Sequence, residues 1–294
     1  MKAFLFPGQG SQYSGMGKDF SAYKHASEVF KKAEGVLKFD IVEIMDGDEE
    51  TLKLTENAQP AIYTASYIAY LEMLDKGIHP DIAAGHSLGE YTAFAAAGVY
   101  DFETGLYIVR KRGEFISQAL EPGKGTMAAI IGLPFDVVED VVSSIDGVWP
   151  ANYNDPTQIV ISGLKEAVHE AMEVLKEKGA KKVVELKVSG PFHTPLIEKA
   201  AEKMEELLSQ IKFHKPKIPV VLNVTAREST DPEEMKRMLI EQIVKPVKWV
   251  QSIERMKELG VDEYFEVGPK TVLKGLGRRA GIKVAHFSEV VAGD

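Results

Sequence analysis

The first part of the chain shows two patterns of apolar residues: short continuous apolar runs, and apolar residues repeated at helical spacing. Residues 2–6 and 81–84 are short apolar runs that end at glycine-containing turns, and this pattern predicts buried strands. Elsewhere apolar side chains recur at helical spacing. The helices predicted in this way span residues 21–35, 59–76, 90–97 and 102–120. Strands that alternate with helices predict an α/β fold with a mostly parallel sheet.

A different order of elements follows between residues 125 and 187. Strand and helix patterns occur there in the order βαββαβ, which is typical of a ferredoxin-like unit. The strands are predicted at 126–131, 148–153, 158–162 and 182–186, and the helices at 134–145 and 165–178. We therefore predict a small ferredoxin-like subdomain at 125–187, inserted into a large domain formed by 1–124 and 188–294. The last part of that large domain is predicted to hold helices at 195–209 and 232–243 and strands at 220–224 and 263–267.

The composition is that of an ordinary soluble globular protein, with 45% hydrophobic and 27% charged residues among 294. No apolar run approaches the roughly 18 residues of a membrane helix, and the first residues lack the apolar core of a secretory signal, so we expect a cytoplasmic protein. The net charge of −9 argues against nucleic-acid binding. Cysteine is absent, which excludes disulfides, thiolate nucleophiles and cysteine-based zinc sites.

The predicted strand at 81–84 leads into the segment Gly85-His86-Ser87-Leu88-Gly89 and then into a helix. A serine between two glycines at a strand-to-helix turn is typical of the nucleophile elbow of α/β-hydrolase-like domains, and it predicts Ser87 as a nucleophile. The amide of Leu88 at the helix N-terminus is then a donor for an oxyanion, and the amide of Gln9, in a glycine-rich loop after the first strand, is the candidate second donor. The alternative is a glycine-rich turn in which Ser87 only caps the helix.

A serine nucleophile needs a base, and histidine is the first candidate. Of the seven histidines, His193 lies between a strand and a helix, where catalytic loops cluster in α/β sheets. His86 is adjacent to Ser87, and neighbours along an extended chain point to opposite sides, so we predict a structural role for His86. The pattern leaves open that His193 is an ordinary loop histidine.

Arg112 interrupts the apolar stripe of the predicted helix at 102–120, where the helical period calls for an apolar side chain. An inward-facing charge needs a partner of opposite charge. Two interpretations remain open. Arg112 forms a structural ion pair with one of the 44 acidic residues, or its guanidinium is free to bind a substrate carboxylate with two hydrogen bonds.

Five motifs stand in a familiar order along the chain. They are Gly8-Gln9-Gly10-Ser11-Gln12, Gly85-His86-Ser87-Leu88-Gly89-Glu90, Arg112-Gly113, Gly190-Pro191-Phe192-His193 and Glu266-Val267-Gly268-Pro269. In these motifs the chain closely resembles the malonyl-CoA:acyl-carrier-protein transacylases of type II fatty-acid synthesis, and also the acyltransferase domains of polyketide and animal fatty-acid synthases. The resemblance runs from residue 6 to about residue 279, and the inserted unit matches the small subdomain of that family.

The resemblance implies that the protein transfers a malonyl group from malonyl-CoA to the phosphopantetheine thiol of a holo acyl carrier protein, in a ping-pong reaction. It implies that Ser87 is the nucleophile and that His193 is the general base and acid. The amides of Gln9 and Leu88 would form the oxyanion hole, and Arg112 would bind the malonyl carboxylate.

Further residues take their expected roles from the same resemblance. The backbone carbonyl of Gln242, which precedes the segment Pro246-Val247-Lys248-Trp249, is expected to orient the catalytic histidine. Phe192 is expected to narrow the acyl pocket in favour of malonyl. Asn154 and Gln158 are expected to line that pocket.

The resemblance also implies a monomer that uses no metal or other cofactor. Because carrier proteins are usually acidic, a basic docking patch is expected near the cleft. Its candidates are Lys181, Lys182, Lys187, Arg278 and Arg279. Three other functions stay open: a serine esterase or thioesterase, an acyltransferase of a polyketide pathway, and an inactive module that only binds a carrier protein.

Overall fold

The strands of the protein form two sheets in the structure, which is a computed structural model that describes residues 1–291. In chain order the strands are β1 (Lys2–Phe6), β2 (Ile82–Gly85), β3 (Gly125–Ile131), β4 (Val148–Asp155), β5 (Gln158–Leu164), β6 (Lys182–Glu185), β7 (Val220–Val221), β8 (Glu228–Ser229), β9 (Val247–Lys248), β10 (Glu263–Glu266) and β11 (Val284–His286). The helices are α1 (Met16–Phe20), α2 (Ala26–Leu37), α3 (Ile41–Met45), α4 (Glu49–Leu52), α5 (Thr55–Asp75), α6 (Gly89–Ala96), α7 (Phe102–Gln118), α8 (Phe135–Ser143), α9 (Lys165–Glu177), α10 (Glu198–Leu208), α11 (Pro232–Gln242), α12 (Trp249–Glu258), α13 (Val272–Arg279) and α14 (Phe287–Val291).

The first sheet has the strand order β11-β10-β1-β2-β7-β8. Its neighbouring strands run parallel, except for the antiparallel pair β7–β8. The central strand β1 is buried on both faces, because Phe4 and Phe6 pack into one core while Ala3 and Leu5 pack into another. A parallel sheet covered on both faces requires such near-continuous apolar strands. The predicted α/β fold with a mostly parallel sheet is confirmed.

The second sheet has the strand order β6-β3-β5-β4-β9. Strands β3 to β6 pair antiparallel in the order of a ferredoxin-like unit, as the βαββαβ pattern predicts. Strand β9, which lies outside residues 125–187, adds to the edge of the sheet parallel to β4. Residues of this sheet and of the first sheet share one core, in which Leu5 and Ile130 both lie. The division into two domains at 125–187 stays a prediction.

The second sheet has a core face and a cavity face. On the cavity face a small apolar cluster joins Met127, Ala129 and Val160 to Phe192, which lies in the loop after β6. Gly8 and Ser87, which follow the carboxyl ends of β1 and β2, line the opposite side of this cavity. The fold therefore encloses a cleft between the ends of the parallel strands and the cavity face of the second sheet.

Helix α5 begins at Thr55 rather than at the predicted residue 59. Pro60 lies inside this helix and has no N–H to donate to the carbonyl of Glu56. The guanidinium of Arg110 on α7 donates to that carbonyl instead. A contact from another helix thus allows α5 to continue through a residue that marks a boundary in the sequence.

Two other predicted elements differ from the structure because turns replace regular pairing. The predicted helix at 21–35 begins only at Ala26, as α2, since the amides of Tyr23 and Ala26 bond only three residues back and form turns that separate α2 from α1. The predicted strand at 220–224 ends at Val221, where the chain turns back into β8. No helix among residues 1–291 is both long and apolar enough to span a membrane.

Candidate active site

Ser87 lies in the turn between β2 and α6, with the left-handed backbone angle φ of 52°. Such an angle strains a residue that has a side chain, and it occurs where the surroundings fix the turn. The two flanking glycines explain how the turn fits. A Cβ on Gly85 would lie 1.9 Å from the carbonyl of Gly89, and a Cβ on Gly89 would lie 2.0 Å from the carbonyl oxygen of Phe6. The predicted strand–turn–helix around Ser87 is therefore present, with both glycines required by contact.

His193 reaches this turn from the loop after β6. Its Nε2 lies 2.9 Å from Ser87 Oγ, and its Nδ1 lies 2.7 Å from the backbone oxygen of Gln242. A carbonyl can only accept, so Nδ1 carries the hydrogen and Nε2 presents a lone pair to the serine hydroxyl. The structure thus brings together the three residues that sequence reasoning selected as nucleophile, base and orienting carbonyl.

The imidazole of His193 is almost completely buried, with 4% of the residue exposed. Burial, reinforced by the positive charge of Arg112, lowers the pKa of His193 to about 3. The ring is therefore neutral near pH 7, which is the form that accepts a proton. Arg112 lies on the face of α7 that is turned toward the site, and its positive charge therefore acts on the His193 ring.

Arg112 points from α7 into the site and is 2% exposed. One Nη atom donates to Gln59 Oε1 at 2.9 Å, and the other donates to Gln242 Oε1 at 2.8 Å and lies 3.3 Å from Ser87 Oγ. The guanidinium also lies over the ring of Tyr91, 5.1 Å from its centroid. Within the part of the chain that the structure describes, Arg112 forms no ion pair, and its Nε has no hydrogen-bond partner. The interpretation as a structural ion pair is therefore wrong for these residues.

The loops that carry the two predicted oxyanion donors lie against each other. A Cβ on Gly8 would lie 2.3 Å from the carbonyl oxygen of His86 and 3.7 Å from the amide nitrogen of Leu88. Among residues 1–291, neither the amide of Gln9 nor that of Leu88 donates to a protein atom. Both amides are thus available to a ligand, and their role as an oxyanion hole stays a prediction.

A cavity of about 630 Å³ opens beside Ser87. Of the predicted substrate-binding residues, Arg112, Phe192, Asn154 and Gln158 all line it. Phe192 is half-buried and packs against two apolar clusters, so it forms part of the cavity wall. The sequence prediction therefore grouped these side chains correctly in space, while their contacts with a substrate stay predictions.

His86 also lines this cavity. The chain at the elbow is not extended, and alternation of side chains does not hold there. The His86 ring bonds to Asn154 Oδ1 at 2.8 Å and packs 5.4 Å from the ring of Trp249. Burial lowers its pKa. These contacts agree with a structural role that joins the elbow to β4.

The sequence analysis did not predict the contacts of three polar side chains that lie beneath the turn at Ser87. Asn223, just after β7, accepts from the Ser87 amide at 2.9 Å and donates to the Gly85 carbonyl at 2.7 Å. The side chain of Gln242 donates to the Ser87 carbonyl at 2.9 Å. The carboxyl group of Glu90, on the first turn of α6, accepts from the backbone N–H of Asn223 at 2.7 Å. The available signal was a glutamate in α6, a helix whose other residues carry no charge.

A comparison with protein families matches residues 3–292 to a single model, described as an acyl transferase domain. The chain belongs to this family. A curated relative from Bacillus subtilis (strain 168), named malonyl CoA-acyl carrier protein transacylase, is 44% identical over 283 residues, which cover 94% of this chain and 89% of the relative. The predicted resemblance and the enzyme class, an acyltransferase, are confirmed.

Solved structures of the family match nearly the whole chain. The malonyl CoA-acyl carrier protein transacylase from Coxiella burnetii superposes with a TM-score of 0.96 at 35% identity, covering 99% of this chain and 95% of that one. A malonyl-transacylase solved in complex with a type II polyketide acyl-carrier protein superposes with a TM-score of 0.95 at 36% identity, covering 100% and 99%. The arrangement of a parallel sheet with a second, smaller sheet is thus that of known acyl carrier protein transacylases.

Proposed function

We propose that this acyltransferase moves a malonyl group from malonyl-CoA to the phosphopantetheine thiol of a holo acyl carrier protein, through a malonyl ester on Ser87. The observation that carries the proposal is Arg112, whose buried guanidinium lies 3.3 Å from Ser87 Oγ and forms no ion pair within residues 1–291. A buried cation beside a nucleophile favours an acyl group that brings its own carboxylate. Malonyl meets this requirement, and acetyl does not.

In the first half-reaction, Ser87 Oγ attacks the thioester carbonyl carbon while His193 Nε2 takes the hydroxyl proton. Negative charge then develops on the carbonyl oxygen, and the amides of Gln9 and Leu88 stabilise it. The carbon–sulfur bond breaks, and coenzyme A leaves with the proton from His193. The malonyl group remains as an ester whose carboxylate is paired with Arg112.

In the second half-reaction, the carrier thiol gives its proton to His193 as its sulfur attacks the ester carbonyl. The ester carbon–oxygen bond breaks, and Ser87 Oγ recovers the proton. Ester and thioester lie close in energy, so the transfer is reversible. A serine esterase or thioesterase would use water in place of the thiol, and the choice of acceptor separates the two functions.

We further propose that basic side chains near the cavity mouth receive the acidic carrier protein. Of the five candidates, Lys187 and Arg279 line the cavity, and Arg279 is held by an ion pair with the buried carboxylate of Asp155 at 2.6 Å. Lys181, Lys182 and Arg278 are exposed. The same chemistry would serve a fatty-acid or a polyketide carrier. A cytoplasmic monomer that needs no metal or other cofactor and binds no nucleic acid stays a prediction.

The proposal is tested by mass spectrometry of the intact protein after brief exposure to malonyl-CoA, and again after addition of holo carrier protein. We expect a gain of about 86 Da, one malonyl group on a covalent intermediate, which the carrier then removes. Ser87→Ala should show no gain. Persistence of the adduct in Ser87→Ala would reassign the nucleophile, and loss of the adduct in plain buffer as fast as with carrier would identify a hydrolase.

A further inference from the structure

The carboxyl group of Glu90 is completely buried beneath the elbow, and the proposed reaction does not use it. Its Oε2 accepts from the backbone N–H of Asn223 at 2.7 Å, and its Oε1 accepts from the side-chain Nε2 of Gln242 at 3.2 Å. Burying a carboxyl group is costly unless hydrogen bonds satisfy both of its oxygens. Two donors therefore face two acceptor oxygens, an arrangement that favours the ionised carboxylate.

The second donor, the amide of Gln242, is surrounded on its nitrogen side by acceptors. Its Nε2 lies 2.9 Å from the Ser87 carbonyl oxygen and 3.2 Å from both Glu90 Oε1 and Asn223 Oδ1. Its Oε1 accepts from Arg112 Nη2 at 2.8 Å. If the amide turned over, its oxygen would face three acceptors and its NH₂ would face a guanidinium. The surrounding groups thus permit one orientation.

Burial raises the pKa of Glu90 to about 8. Above that pH Glu90 is the charged member of these three acceptors, and it then contributes most to that orientation. Through Gln242 it is also linked to Arg112, as a carboxyl–amide–guanidinium chain. This chain places an acidic group near the buried arginine without direct contact between the two. The amide oxygen of Gln242 is neutral and accepts from one Nη atom, and Nε of Arg112 has no hydrogen-bond partner among the described residues, so the positive charge is not neutralised by a carboxylate of the protein.

We infer that Glu90 is a positioning residue for substrate selection: it orients the Gln242 amide so that Arg112 is held beside Ser87 and remains free to bind the substrate carboxylate. The inference rests on the proposed function, because its readout is the preference for malonyl over acetyl. It assigns to Glu90 no contact with the substrate.

The test compares the wild type with Glu90→Gln and Gln242→Met. The first change keeps the shape of the side chain but puts a donor where an acceptor is needed. The second removes the connecting amide and keeps the backbone carbonyl that bonds His193. Single-turnover acylation of Ser87 by malonyl-CoA and by acetyl-CoA is measured at about pH 9, where the wild-type carboxyl is ionised because burial raises its pKa only to about 8. We expect each variant to lower the malonyl-to-acetyl rate ratio about tenfold, the effect of one charged hydrogen bond.

Glu266→Gln is the matched control. Glu266 is also fully buried, and it accepts from the backbone amides of Leu273 at 3.0 Å and Lys274 at 2.8 Å, but these bonds do not lead to Gln242 or Arg112. This variant should lose stability and keep the rate ratio. The double variant Glu90→Gln with Gln242→Met should show no further fall in the ratio beyond Gln242→Met alone, because Glu90 acts through that amide.

Equal losses of malonyl and acetyl acylation in Glu90→Gln would overturn the inference and leave Glu90 with a purely structural role. An unchanged ratio in Gln242→Met would overturn it as well, and this variant decides the question if Glu90→Gln does not fold. Failure of the proposed function looks different, since the wild type itself would then form no malonyl adduct or would show no preference for malonyl.

Discussion

The buried, neutral state of His193 makes a prediction about stability that can be measured without any substrate. The perturbation is His193→Asn, chosen because asparagine tolerates the left-handed backbone angle of 62° at this position better than other residues do. Asparagine does not titrate. Any part of the pH dependence of unfolding that comes from the imidazole should therefore disappear in the variant.

The size of the effect follows from the two pKa values of the ring. Burial lowers the pKa of His193 to about 3 in the folded protein, from 6.5 for the exposed side chain. Below pH 6.5 the unfolded chain takes up a proton that the folded protein does not, so the contribution to stability is present above 6.5 and is lost as the pH falls towards 3. Between about pH 7.5 and pH 5.0 this loss amounts to about 2 kcal/mol.

The assay is urea-induced unfolding at these two pH values, for the wild type and for the variant. The wild type should lose about 2 kcal/mol more than His193→Asn on acidification, since the other titrating groups are common to both proteins. Ser87→Ala, which removes the hydroxyl beside the ring and keeps the ring, is the control and should behave like the wild type. Equal losses in the wild type and His193→Asn would refute the reasoning, because the pKa of His193 in the folded protein would then be close to that of the exposed side chain, and burial would not keep the ring neutral.

Two further predictions concern the substrate side of the site. Arg112→Ala should reduce acylation by malonyl-CoA relative to acetyl-CoA by about 1.5–3 kcal/mol, whereas Arg110→Ala, on the same helix but outside the cavity, should keep the ratio; equal losses for both substrates in Arg112→Ala would make that arginine structural. Gly8→Ala should slow single-turnover acylation by both substrates, because its Cβ would lie 2.3 Å from the carbonyl oxygen of His86 and force the two loops apart. Gly35→Ala, where a Cβ meets open space in α2, should leave acylation unchanged and raise stability by about 0.5–1 kcal/mol, and a similar slowing there would contradict the steric explanation.

Local signals in the sequence predicted the parts of the site that depend on local structure. The elbow at Ser87 could be predicted because an apolar run, two glycines and a helical pattern follow one another directly. The side-chain contacts beneath it could not be predicted, because they join residues far apart along the chain. The bond from Asn223 to Glu90 spans 133 positions, and that from Gln242 to Ser87 spans 155. A spacing pattern carries no information about such pairs.

The predicted boundaries of some helices and strands were wrong for a related reason. The start of α5 could not be read from its sequence, because Pro60 marks a boundary there, whereas in the structure the helix includes Pro60 and Arg110 donates to the carbonyl that Pro60 leaves without a donor. The contacts of His86 could not be predicted from alternating side chains, because that rule assumes an extended chain and the positive φ of Ser87 breaks the assumption. In both places a tertiary contact or a strained residue overrides the local preference.

Arg112 has two effects on the site, and a bound malonyl group would separate them. Its charge is the second cause, after burial, of the low pKa of His193. A malonyl carboxylate paired with Arg112 would cancel much of that charge, and the pKa of His193 would rise as the substrate binds. An acetyl group brings no carboxylate, so His193 would remain a weaker base in that complex. On the proposed function, the arginine therefore favours malonyl twice, in binding and in proton transfer, and a preference measured as affinity alone would be smaller than the preference measured as rate.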